Sequence, residues 1–208
     1  MPTPLTADAV IDLLGLEPLP HEGGAFRETY RAEQRVPNPL AAHDAENAED
    51  ATRSASTQIY YLLRAGETSA LHRVRSDEVF HHYLGDPVIQ LRIDDGTVTF
   101  EPPARDSAPT TALATLPKTT LDTIGTDLAQ GHRPQVVASR HVWQGAILAN
   151  DTPRPLGFAL LGCTVAPGFE WADFELITPD RADLLAQQFP EHAALIETLT
   201  PAPGRTRA

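Results

Sequence analysis

One stretch limits what this chain can fold into more than any other: Gly66 to Gly85, GETSALHRVRSDEVFHHYLG. It reads as two short β-strands, 69–74 and 78–84, joined by a polar turn. Gly85-Asp86-Pro87 gives a turn signal before a third strand that starts at Val88. Five residues separate Gly66 from His72, one separates His72 from Val74, three separate Val74 from Glu78, and six separate Glu78 from Gly85. Alternate residues of a strand share a face. His72 and Val74 therefore point the same way on the first strand, and Glu78, Phe80 and His82 do so on the second.

That spacing resembles the first motif of the cupin superfamily, in which two glycines bracket two histidines and a glutamate. Gly66, His72, Glu78 and Gly85 match, and Val74 stands where the second histidine is usual. A second stretch, PLPHEGGAFRETYR over 18–31, resembles the signature of the DUF985, or cupin-5, subfamily, except that Glu22 follows His21 directly, without the usual proline. The likeness continues through 56–63, Ser76-Asp77-Glu78, Gly85-Asp86-Pro87, 165–170 and Asp173-Phe174, and so covers about residues 8–190. Residues 135–148, QVVASRHVWQGAIL, occupy the place of the second cupin motif. There Gln144 replaces the histidine, His141 the turn glycine and Leu148 the asparagine. His141 falls where φ can be positive, a conformation that glycine tolerates best. The resemblance implies an all-β double-stranded β-helix, a cupin jelly-roll barrel of two antiparallel sheets with short flanking N- and C-terminal helices. It also implies a homodimer that exchanges N-terminal strands, with 21–31 as the exchanged segment.

Cupin motifs concern metal, so the ligands are worth counting. The four usual positions hold His72, Val74, Glu78 and Gln144. Two are good ligands for a divalent ion, an amide is a poor one, and an isopropyl group is none. Catalytic metals normally take about three protein ligands. His82 cannot make up the deficit, because four residues of strand place it roughly 13 Å from Glu78. No resident cofactor is therefore expected. A divalent metal, if one binds, would take His72, Glu78 and Gln144.

The same positions suit an organic ligand. Small-molecule pockets are largely apolar with a few convergent polar groups. Phe80 and His82 from one strand, with Trp143 and Gln144 from another, are the expected ligand-binding residues. His72 and Glu78 are the expected catalytic pair. A histidine beside a carboxylate can serve as general base, and a carboxylate in an apolar barrel tends toward a raised pKa. Proton abstraction next to a carbonyl, as in sugar epimerases or isomerases of similar barrel fold, fits that pair. A non-catalytic barrel that binds a small polar or aromatic metabolite is the alternative. A metal-dependent cupin enzyme comes third.

The rest of the chain sets bounds. Its 208 residues suit one domain, 1–208, with a core over about 5–200. The formal charge of −12 argues against nucleic acid or an anionic membrane as partner, and leaves a small molecule. No basic run precedes an apolar one at the N-terminus, so a cytoplasmic location is expected. Cys163 is the single cysteine, which excludes an internal disulfide and a cysteine-based metal cluster. Residues 5–16 read as a helix capped by Thr6, striped by Val10, Leu13 and Leu14, and stopped by Gly15. Tyr60 and Tyr61 must face opposite ways, so one of them sees the barrel interior. Residues 88–101 read as a hairpin about Asp94-Asp95-Gly96, 121–129 as a strand, and 156–165 and 169–177 as two more. Residues 37–53 and 102–120 read as loops, and 201–208 as a disordered tail. Past Pro179, Ala182, Leu184, Leu185 and Phe189, then Leu195, Ile196 and Leu199, mark one or two helices.

Overall fold

A computed structural model describes residues 5–38, 51–96, 117–149 and 155–201. Helix α1 spans Ala7–Leu14; the Ala9 amide donates to Thr6 Oγ1, and Gly15 ends the helix in the left-handed region at φ 61°. Val10 is buried and Leu13 is 75% exposed, so the apolar stripe runs through Ala7, Val10, Ile11 and Leu14 and bypasses Leu13.

Thirteen strands follow among the described residues: β1 (Glu17–Pro18), β2 (Ala25–Arg31), β3 (Arg35–Pro37), β4 (Thr52–Ser54), β5 (Thr57–Arg64), β6 (Thr68–Arg73), β7 (Asp77–Gly85), β8 (Val88–Asp94), β9 (Lys118–Ile124), β10 (Gln135–Ala138), β11 (Trp143–Leu148), β12 (Phe158–Ala166) and β13 (Glu175–Leu176). They form a six-stranded sheet in the order β1-β2-β5-β12-β7-β10 and a five-stranded sheet in the order β13-β6-β11-β8-β9, and β3 pairs with β4 apart from both. The pairs between named strands are antiparallel. Helices α2 (Pro179–Gln188) and α3 (Ala193–Leu199) close the chain; α2 has Pro179 in its first turn and Thr178 as its cap. None of these helices is long and apolar enough to cross a membrane.

The hydrophobic residues divide into three layers. Tyr61, Leu63, Phe80, Val88, Ala146, Leu161 and Cys163, drawn from both sheets, fill the space between them. Leu71, Leu91, Ile93 and Trp143 cover the outer face of the five-stranded sheet, where Ile177, Ala182, Leu185, Phe189, Ile196 and Leu199 pack on them. Leu184 stays 55% exposed. Leu62, Phe158 and Leu160 cover part of the outer face of the six-stranded sheet, beneath Val10 of α1. This is a barrel with buried faces inside and out, which is why β11 and β12 read as continuous apolar runs instead of alternating ones. Tyr61 is the tyrosine that faces inward.

Several expected elements move. The strand expected over 169–177 is a 3-10 turn, Trp171–Asp173, followed by the two-residue β13. The partner of β8 is β9, so the strand read at 121–129 begins at Lys118 and ends at Ile124. Residues 97–101 of the expected hairpin, and most of the loops at 37–53 and 102–120, lie outside the described residues.

Candidate functional site

Strand register brings the first two site residues together. Gln144 on β11 is the direct cross-strand partner of His72 on β6, and a register shift follows at Gly145. Glu78 lies in the other sheet, paired with Val165 of β12 and Ala138 of β10. It reaches across the barrel interior to the same point. All three are buried, at 2%, 7% and 1% exposure for His72, Glu78 and Gln144.

The amide of Gln144 joins the other two. Its Nε2 donates to Glu78 Oε2 at 2.6 Å and to His72 Nε2 at 3.3 Å, while its Oε1 accepts from Gln90 Nε2 at 3.3 Å. On the far side of the imidazole, Nδ1 donates to Ala70 O at 2.7 Å. With Nδ1 protonated and a donor facing Nε2, His72 is held as the neutral tautomer whose Nε2 carries the lone pair. Burial lifts the pKa of Glu78 above the ordinary carboxylate range; the charge of Glu22 adds to the rise, and the hydrogen bond from Gln144 draws it back. Burial likewise pushes up the Cys163 thiol, which lies against Glu78.

Glu22 is a site residue that spacing alone does not reveal. Its Oε1 accepts from Ser69 Oγ at 2.6 Å, and its Oε2 stands 3.9 Å from His72 Nε2. Two glycines hold it there. Gly23 has φ 102°, and a Cβ on it would lie 2.5 Å from Thr68 O; Gly24 has φ 74° and packs equally closely on Leu62 O and Tyr61. Tyr61 OH donates to Gly23 O at 3.1 Å.

Arg31 arrives by a β-bulge. In the β2–β5 ladder, Glu28 pairs with Ile59 and Tyr30 with Gln58, so Thr29 is the extra residue. Simple alternation would put Arg31 outside with Arg27. The bulge returns it to the face of Phe26 and Glu28.

His72, Glu78, Glu22, Glu28 and Arg31 line one cavity of ≈110 Å³, together with Leu19, Val74, Cys163, Phe174 and, toward its rim, Phe169, Glu170 and Trp171. Phe174 stacks on His72 at 5.1 Å between ring centroids and 22° between planes. Trp171 meets Phe174 edge-on at 5.8 Å and stays 50% exposed.

The four residues expected to bind ligand separate. Gln144 is at the heart of the polar cluster, behind His72 and Glu78, and does not itself line the cavity. Phe80 is packed into the interior core and does not line the cavity. His82 lies farther along β7, its Nε2 3.0 Å from Asp86 O, and is also off the cavity. Trp143, one residue from Gln144, necessarily faces the other way. It packs under α2 and α3, with its Nε1 donating to Asp95 at 2.9 Å and the Arg73 guanidinium 4.6 Å from its ring centroid.

A resident cupin metal does not fit this donor set. Val74 presents an isopropyl group to the cavity, and Gln144 turns an N–H donor toward both His72 and Glu78 where an ion would need a lone pair. Among the described residues, no three His, Cys, Asp or Glu side chains converge on one point suited to a metal ion.

A two-sheet antiparallel barrel with His72, Glu78 and Gln144 converging inside it defines a cupin. The chain belongs to the cupin superfamily family DUF985, whose family model matches residues 8–177. It is similar to a solved protein from Shewanella oneidensis, at 29% identity and TM-score 0.68 over 95% of this chain and 99% of that one. It is also similar to a hypothetical protein from Leishmania major, at 29% identity and TM-score 0.68 over 95% of this chain and 100% of that one. No curated protein matches it.

Proposed function

We propose that the cavity binds a small polar metabolite and moves a proton next to its carbonyl group, as an isomerase or epimerase does. One observation carries the reading: the His72 imidazole, whose Nε2 lone pair meets only a long 3.3 Å contact from an amide, and the Glu78 carboxyl, whose pKa burial raises, line the same cavity and are coupled through that amide. A histidine base and a carboxyl whose pKa is raised, side by side in one cavity, suit proton transfer. His72 Nε2 takes the proton from the carbon beside the carbonyl. Glu78 gives a proton to the carbonyl oxygen, so the electron pair of the broken C–H bond becomes the C=C bond of a neutral enediol. Return of the proton from His72 to the neighbouring carbon, while Glu78 takes back the hydroxyl proton of the carbon first deprotonated, re-forms a carbonyl there and completes isomerisation. Glu22, 3.9 Å from His72, stabilises the imidazolium in between.

The test is deuterium exchange from D2O into a panel of hydroxyaldehydes, hydroxyketones and their phosphate esters, followed by NMR. Exchange at the carbon beside the carbonyl is expected with the unmodified protein, and a loss of about 100-fold or more in His72→Gln and Glu78→Gln. Exchange that persists unchanged in both variants rejects the pair as the catalyst. Saturable binding without exchange leaves the second reading, a non-catalytic binding barrel, which the Gln144 contacts to both His72 and Glu78 favour.

A further inference from the structure

We infer that the ligand of this cavity is an uncharged polyhydroxylated molecule, a free sugar or a polyol of that size, and not a phosphorylated or nucleotide-linked sugar. The inference rests on the reading of the cavity as a ligand site. It comes from the charges and rings that line the cavity, above all Arg31, Glu28, Glu170 and the aromatic rim, which the proton-transfer step does not use.

Four carboxyl groups border the cavity: Glu22, Glu28, Glu78 and Glu170. Arg31 is the one Lys or Arg among the lining residues, and it is already occupied. Its Nε and Nη2 donate to the two oxygens of Glu28 at 3.0 and 2.8 Å, its Nη1 donates to Glu170 at 2.9 Å, and Nη2 also donates to Phe169 O at 3.3 Å. A guanidinium has five N–H donors, and four of these are engaged. A phosphate entering here would have to displace two carboxylates from Arg31 and then lie beside them. Free anions are therefore disfavoured at the rim.

An uncharged ligand meets no such barrier. Arg31 carries one positive charge against the two negative charges of Glu28 and Glu170, so the rim keeps a net negative charge that repels an anion and leaves an uncharged ligand unaffected. What remains is a set of carboxylate oxygens, which accept from hydroxyl groups. Beside them Phe174, Trp171 and Phe169 form a run of rings from His72 out to the surface, with Trp171 and Phe169 5.3 Å apart and nearly perpendicular. A sugar presents a C–H-rich face to such a ring and hydroxyls to the acceptors. The cavity, at ≈110 Å³, is smaller than the roughly 150 Å³ void that takes up benzene. Only the reacting end of a sugar enters it; the remainder lies at the mouth against Trp171.

Isothermal titration calorimetry tests this with ribose, mannose and fructose, their phosphate esters and UDP-glucose, against the intact protein. The free sugars are expected to bind, and the phosphorylated and nucleotide-linked forms to bind about tenfold or more weakly. That discrimination should shrink as salt screens the rim. It should shrink or reverse in Glu28→Gln/Glu170→Gln, which releases Arg31. Tighter binding of phosphate esters by the unmodified protein, salt-independent discrimination, or no binding of any free sugar overturns the inference. The two readings fail separately: a phosphate ester that binds best and exchanges deuterium sinks the ligand class and keeps the chemistry. A free sugar bound in preference without exchange does the reverse.

Discussion

Gln144 and Glu78 stand 66 positions apart in the chain and meet in a 2.6 Å hydrogen bond inside the barrel. The amide satisfies the buried carboxyl and, through its second N–H, the lone pair of His72. In a cupin metal centre an ion would occupy that point. The donor set is therefore expected to be convertible. Val74→His with Gln144→His places three imidazoles and one carboxylate around the cavity, and should bind about one divalent metal per chain. Elemental analysis after dialysis reads this directly. A double variant that folds yet binds no more metal than the parent would show that these side chains do not converge as described. Gln144→Leu, which strips the donor from a buried carboxyl, is expected to cost about 1–3 kcal/mol in urea unfolding.

The raised pKa of Glu78 makes stability depend on pH with a definite sign. Below about pH 4 the carboxyl is protonated in both the folded and unfolded chains, and this contribution is fully present. Above the unfolded value the unfolded chain releases the proton while the folded one keeps it. Stability then falls as pH rises, until the folded carboxyl also ionises. Glu78→Gln keeps the shape and cannot ionise. Its unfolding free energy is expected to exceed that of the parent at about pH 8 and to converge with it near pH 4. Urea titrations of both proteins across this range provide the difference curve; a variant that becomes less stable than the parent as pH rises contradicts the burial of an uncompensated carboxyl.

The Gly23 backbone is the support for Glu22. Gly23→Ala forces φ 102° on a residue with a Cβ and sets that Cβ 2.5 Å from Thr68 O. A cost of about 1–3 kcal/mol is expected from the strained backbone. The segment must also shift, which takes the Glu22 carboxylate away from Ser69 and His72. Deuterium exchange should fall with the melting temperature, whereas Gly66→Ala, where a Cβ meets nothing within 4 Å, strains the backbone at φ 82° without touching Glu22. Equal losses of exchange in the two variants would detach Gly23 from the site.

The barrel itself was legible in the sequence because the Gly66–Gly85 spacing and the alternation of β6 and β7 are local properties of the chain. The helix caps at Thr6 and Gly15 and the first-turn proline Pro179 were legible for the same reason, and so was the positive φ of His141, 64° in the structure. Side-chain direction on β11 was not. Both faces of that strand are buried, so neither hydrophobicity nor polarity marks which of Trp143 and Gln144 points inward. The helices α2 and α3 cover the outer face and claim the tryptophan. Arg31 was hidden by the bulge at Thr29, which inverts the alternation partway along β2. Glu22 sits outside any strand and depends on tertiary contacts. The aromatic run 169–174 mimics a strand in composition, yet Trp171–Asp173 form a 3-10 turn held by a residue far away in sequence.

That distant residue is Arg53. Its guanidinium on β4 pairs with Asp173, and both side chains are buried, at 4% and 8% exposure. Nε and Nη1 of Arg53 have no hydrogen-bond partner, so the pair with Asp173 compensates most of the buried charge. Asp173 lies between Trp171 and Phe174, and the ion pair thereby fixes the aromatic rim of the cavity to the small β3–β4 sheet. Removing one partner of a buried pair leaves an uncompensated charge, so Arg53→Leu is expected to cost about 3–5 kcal/mol in urea unfolding. Arg53→Leu/Asp173→Leu removes both charges and should recover most of that loss. In the single variant the amides of Asp173 and Phe174, which donate to Glu170 O at 2.9 Å and Trp171 O at 3.2 Å, should exchange with solvent faster. Ligand binding should weaken too, although Arg53 does not line the cavity. A single variant that costs no more than about 0.5 kcal/mol, the range of an ordinary surface substitution, would mean that the turn carrying Trp171 is held by its own packing and not by this ion pair.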